Sequence, residues 1–171
     1  LQVLSQYLSE GKNAPLNKVL IDEKKLTSNL YLYGYDAELA GQLQLQVMAF
    51  NGVDLNVVYA GIEEAFARFE KEGIAPEDLA RIKAGQETEF YQGLSSVLGK
   101  GFQLAQYEIF AGNAAFISQD VKKILGVSQD DVMRVYRTYL KDKPYVASSF
   151  VPKGNKELVL AGSTKANVVE E

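Results

Sequence analysis

Histidine and cysteine are both absent from the 171 residues. Without His the chain lacks the commonest zinc ligand and the side chain that most often acts as a general base near neutral pH. Without Cys it has no disulfide, no thiol nucleophile and no thiolate metal site. The compartment stays open, because periplasmic and cytosolic proteins alike can lack Cys. Excess charge is also scarce. The formal net charge is -4, and no Lys/Arg block is long enough to track phosphates, which argues against a nucleic-acid partner. No run approaches the roughly 20 apolar residues of a membrane span. Neither a signal-peptide pattern nor an initiator Met opens the chain. Leu1, Leu4 and Leu8 fall near helical spacing instead, so the sequence reads as a piece excised from something longer.

What is present suits a single domain with a sizeable core: 47% of residues are hydrophobic and 23% charged, ordinary values for a globular fold. A first helix runs to about residue 9 and stops at Gly11, and Pro15 opens a second with Leu16, Val19 and Leu20 as its stripe. Two strands follow. From Thr27 to Tyr35, Leu30 and Leu32 alternate with Tyr31, Tyr33 and Tyr35; from Gln42 to Phe50, Leu43, Leu45, Val47 and Ala49 alternate with Gln42, Gln44, Gln46, Met48 and Phe50. Period-two alternation of this length predicts an antiparallel hairpin with one covered face and one more polar face.

Helical spacing then dominates. Asp54 caps a helix to about Glu72 on Leu55, Val58, Ile62, Ala65, Phe66 and Phe69. Pro76 opens another carrying Leu79, Ile82 and Phe90, with a break at Gly93 or Gly99. A further segment holds Leu98, Phe102, Ala105, Ile109 and Phe110 and ends near Gly112. A short helix spans Ser118 to Leu125, and Ser128 caps one running to Leu140. Tyr145 to Val151 reads as a closing strand stopped by Pro152. Residues 153–171 read as a linker or tail leading to a following domain, with a small apolar patch at Leu158–Leu160. The predicted fold class is α+β: a two-layer sandwich with an antiparallel or mixed sheet and helices packed on one face.

Four local patterns carry possible chemistry, and each has a plainer reading. Ser9-Glu10-Gly11-Lys12 matches the S-x-x-K pattern of serine acyl enzymes, yet its companion motifs are missing and helix-end chemistry accounts for Gly11 and Lys12. Gly93 to Lys100 resembles a phosphate loop, but its glycines are one residue too far apart and Gly101 stands where a Ser/Thr should hold magnesium. A helix break is the better account. Glu63-Glu64 and Glu87/Glu89 are acidic pairs, and neighbours on a helix point about 100° apart, so a solvated face is the default. The Tyr31/Tyr33/Tyr35 face suits stacking on sugars or peptides, or else cross-strand packing, which is the more frequent use. No residue is assigned as catalytic, cofactor-binding or metal-ligating.

The stretch from Leu4 to Leu20 resembles the C-terminal-type, non-metal domain of insulinase/pitrilysin zinc peptidases, and is similar to mitochondrial processing peptidase domains. There a helix, a G-[KR]-x-S-[PR]-L turn and a second helix lead through a charged E-K-x-L segment, matched by Glu23-Lys24-Lys25-Leu26-Thr27, into a strand. Gly52-Val53-Asp54-Leu55, Glu72-Gly73-Ile74, Glu77 to Lys83, Gly112, Val127 to Val132 and Ser148 to Pro152 continue the series in order. The resemblance implies a clamshell of related α+β domains around a chamber for unfolded peptides. It places zinc in another domain, on an H-x-x-E-H helix that this chain does not have.

In many relatives the domain that follows contributes an Arg and, seven positions on, a Tyr that bind substrate and stabilise the oxyanion. Aligning on Leu26 puts Ile21 and Ser28 there, so no catalytic role carries over. The resemblance therefore implies one domain over residues 1–152, without its first strand and the start of its first helix. It would help form the substrate chamber of a bacterial zinc metallopeptidase, inactive alone, with other domains or a paired subunit as partners and peptide as substrate. The mild preference for compartment is the periplasm or cell envelope. A catalytically inactive structural or regulatory subunit of the same fold is the competing expectation, and a peptide- or sugar-binding module using the tyrosines is a third.

Overall fold

The computed structural model describes residues 1–37 and 39–163. Helix α1 (Gln2–Ser9) ends in a turn at Gly11, whose φ of 91° only glycine adopts without strain. The Asn17 amide locks that turn by donating to the Ser9 and Gly11 carbonyls, both at 2.9 Å. Pro15 sits at the start of α2, where its missing N–H costs nothing. This helix begins as one α turn (Pro15–Asn17) and opens into wider i→i−5 turns over Lys18–Glu23.

Strands β1 (Thr27–Asp36) and β2 (Gly41–Ala49) form a two-stranded antiparallel sheet with Tyr31 opposite Gln46, Leu32 opposite Leu45 and Tyr33 opposite Gln44. The fold class is thus α+β as expected, with the sheet antiparallel. Helix α3 (Leu55–Glu72) starts where Asp54 accepts the Asn56 N–H at 2.8 Å and stops at Gly73. A Cβ on Gly61 would lie 2.7 Å from Leu20 Cδ2, so the missing side chain is what lets α3 settle onto α2. The later helices are α4 (Pro76–Gly93), α5 (Val97–Ala111), α6 (Ile117–Gly126) and α7 (Gln129–Tyr139).

The core gathers Leu4 and Leu8 of α1, Leu16 and Leu20 of α2, Leu30 and Leu32 of β1, and Val58, Ala65 and Phe69 of α3. Leu79 and Ile82 of α4 and Val132 and Tyr136 of α7 complete it. Phe69 is fully buried between two rings, 5.6 Å from Tyr7 and edge-on to Tyr136 at 5.1 Å. Tyr7 donates its hydroxyl to the Gly73 carbonyl at 3.1 Å, tying α1 to the end of α3, and burial pushes its pKa upward.

Tyr145–Val151, expected as a closing strand, is not one: this stretch makes no ladder with either strand. Its β-branched and aromatic residues report fitness for an extended backbone and carry no information about a free edge to pair with. Side chains hold the region instead. The Tyr145 and Tyr59 hydroxyls lie 2.6 Å apart, and Asn56 accepts the Ala161 N–H at 2.7 Å while donating to the Val159 carbonyl. Part of the stretch expected as a linker is therefore bonded back to the first turn of α3, and residues 164–171 lie outside the described residues.

Two outcomes follow from these contacts. Phe69→Ala removes the ring shared by α1, α3 and α7 and should cost about 3–5 kcal/mol in urea unfolding; a loss under 1 kcal/mol would mean the cluster is loosely packed. The second concerns α7, where the Asp131 carboxylate closes a capping box. Its hydrogen bonds from Ser128, reinforced by Arg134, lower its pKa from 3.8 to about 2. A depressed folded-state pKa stabilises the fold above the unfolded value, and that contribution is lost as pH falls through the folded value. The urea midpoint should therefore drop between pH 4 and pH 2, and Asp131→Asn should flatten that part of the profile.

Candidate interaction surface

The feature that sets the outer face of the hairpin is a bulge. Thr27 pairs with Ala49 but Leu30 pairs with Val47, so one extra residue is accommodated at Ser28–Asn29. Thr27 is buried, and its hydroxyl donates to the Met48 carbonyl while accepting the Asn29 N–H at 3.2 Å. The extra residue reverses the side-chain parity. Thr27 and Leu30 both face inward, and Tyr31, Tyr33 and Tyr35 face out.

The result is an uncharged wall of three tyrosines, each opposite a glutamine: Gln46, Gln44 and Gln42. The tyrosines are 43–63% exposed, so they are not spent on packing. Exposed Met48 and Phe50 extend the wall along β2 and past its end. Phenol and amide groups offer donors and acceptors in a row, and the rings offer contact area that tolerates any side chain. Such a surface fits an extended peptide read mainly through its backbone. Its described side chains include no carboxylate, amine or thiol.

The other sequence patterns resolve structurally. Ser9 donates its hydroxyl back to the Ser5 carbonyl at 2.9 Å, and Lys12 lies in the turn beyond the helix end. Gly93–Lys100 is the junction of α4 and α5: Ser96 caps α5 by accepting the Gly99 N–H at 2.9 Å. A Cβ on Gly99 would sit 2.1 Å from the Gly93 carbonyl oxygen, so glycine is obligatory there for packing. Glu63 and Glu64 do not act as a pair, since Glu64 is held by Lys24 at 2.9 Å and by Arg68. Glu87 and Glu89 lie on α4, half-buried and exposed respectively. Ile21 is half-buried in the wide turn of α2, and Ser28 is exposed in the bulge.

One cluster escaped the sequence reading. Arg68 bridges α2 and α3, reaching both Glu23 oxygens at 2.7 and 2.8 Å as well as Glu64. Hydrogen bonds from Arg68 hold Glu23 below the usual carboxylate range, and those from Lys24 and then Arg68 do the same for Glu64. The Glu64–Arg68 spacing of four was the available signal. Among the described residues no group of His, Cys, Asp or Glu is placed to hold a metal ion. No described helix is long and apolar enough to cross a membrane. An open groove of about 390 Å³ between α1, α4, α6 and α7 contains a single carboxylate, Asp131, already engaged by Ser128 and Arg134.

The geometry defines a class: an α+β domain with an exposed tyrosine–glutamine face. The sequence pattern of the peptidase M16 inactive domain matches residues 1–86, and the chain belongs to that family. It is 22% identical over 142 residues to the zinc protease PqqE of Helicobacter pylori, covering 83% of this chain and 32% of that protein. The fold recurs in a protease from Helicobacter pylori (TM-score 0.68, 23% identity, 82% of this chain and 34% of that one). It recurs also in the peptidase M16 inactive domain from Pseudomonas fluorescens (TM-score 0.66, 14% identity, 81% and 32%). The inactive peptidase domain of a Bordetella parapertussis protein is similar over 77% of this chain and 71% of that one (TM-score 0.68, 17% identity). The chain spans about a third of the length of the curated relative it matches. These findings bear out the family resemblance read from the ordered motifs.

Thr27→Val tests whether the bulge presents the wall. It leaves the Met48 carbonyl and the Asn29 N–H without their partner and should cost about 1–3 kcal/mol. Hydrogen exchange should quicken at Asn29 and its neighbours while the α3 amides stay protected; unchanged exchange there would mean the hydroxyl does not hold the bulge.

Proposed function

We propose that this chain is the non-metal-binding domain of a zinc metalloendopeptidase, contributing the tyrosine–glutamine wall to a chamber in which extended peptides are held for hydrolysis. The observation that carries the reading is the uncharged, exposed row of Tyr31, Tyr33 and Tyr35, in a chain of the inactive-domain family. Zinc would sit in another domain of the parent protein, and this chain alone would be inactive. The wall lets a substrate slide or bind in several registers, because phenol and amide groups pair with any backbone and impose no charge selection.

A second reading has its own observation. Ile21 and Ser28 supply neither a cation nor a phenol where many relatives place their substrate-binding pair. That departure suits an inactive structural or regulatory subunit.

The two readings part in the full-length protein. In the first, Tyr33→Ala should raise KM for an unstructured peptide about threefold to tenfold with kcat nearly unchanged, since each aromatic contact is worth about 0.5–1.5 kcal/mol. An unaltered KM in a stably folded variant would remove the wall from substrate binding. Absence of any zinc-dependent peptide cleavage by the full-length protein would put the structural subunit in its place.

A further inference from the structure

Helix α5 carries Leu98, Phe102, Ala105 and Ile109 at spacings of four, three and four, which place them on one stripe within about 60° of each other. Stripes of this kind normally face a core. Here Leu98, Phe102 and Ile109 are 66–72% exposed, and α5 has no buried residue at all. The helix is not adrift, however. Tyr107, on the opposite side, donates to Asp120 of α6 at 2.6 Å and packs on Phe116 at 5.8 Å. That contact fixes the rotation of α5 so that its stripe points away from its own domain.

Gly101 flanks the stripe inside the helix, where glycine is a poor helix former. A Cβ built there meets nothing within 4 Å, so no described neighbour in this chain calls for its absence. Small residues beside an apolar stripe allow another backbone to approach closely. The adjoining Gln106 is also uncharged, so the surface selects an apolar partner without ionic pairing.

We infer that the α5 stripe is the seat of an apolar face of a companion domain in the same polypeptide. The matched relative extends well beyond the shared region, which makes up only 32% of it. An attached neighbour of that size is present at high effective concentration and outcompetes a free second copy for the stripe. The site is separate from the tyrosine wall, and its occupancy does not depend on peptide hydrolysis.

The absence of native cysteine makes a direct test clean. Ala105→Cys and Ile109→Cys, each made singly in the full-length protein, are treated with a maleimide and compared with Lys122→Cys on the exposed side of α6. Covered by an attached domain, the two stripe thiols should react at least tenfold more slowly than the control, at every protein concentration and only while folded. Reaction as fast as the control, with an unchanged thermal melt, would overturn the inference. Protection that appears only as protein concentration rises would overturn it as well, since the occupant would then be a second copy. Ala105→Cys is nearly isosteric, so the test survives if Ile109→Cys misfolds.

Discussion

A two-stranded hairpin is marginal in water by itself, so the sheet of this domain depends on whatever covers its inner face. Leu30 and Leu32 join residues of α1 and α3 in one continuous core, with Phe69 among its fully buried side chains. The Phe69 ring touches Tyr7 from α1 and Tyr136 from α7, joining elements far apart in the sequence. Gly61 serves the same end by letting α3 approach Leu20 with no side chain between them. The hairpin can then hold its outer face open to solvent, because its stability comes from the other side.

Much of this was legible in the sequence for a plain reason: period-two and period-3.6 patterns report local geometry directly. The hairpin, the long α3 stripe and the Ser128 cap were all read within a residue or two. Two things were out of reach. The β-forming composition of Tyr145–Val151 shows that an extended backbone is tolerable there, but pairing needs an edge supplied by some other segment, and composition does not reveal one. Thr27 was the second. Counted by parity it belongs with the tyrosines, and only the bulge turns it inward beside Leu30.

The candidate surface was half legible for a related reason. Alternation placed three tyrosines on one face, yet packing and exposure give the same pattern; the glutamines opposite, Gln42, Gln44 and Gln46, decided the outcome because none of them builds an apolar layer. In the same way Leu98, Phe102, Ala105 and Ile109 announced an amphipathic helix, while nothing in their spacing told which body they face.

The two uncovered surfaces differ in what exposure costs them. A tyrosine–glutamine wall keeps its polar tips in water and can release a bound peptide, which suits a surface that must turn over its contacts. The α5 stripe has no polar tips. Each Leu, Phe or Ile left in water forgoes about 1.5–3 kcal/mol of burial, and exposed apolar patches of this kind invite association. Permanent exposure is therefore a poor state for α5 and a workable one for the tyrosines. A reversible ligand fits the wall, and a lasting structural neighbour fits the helix.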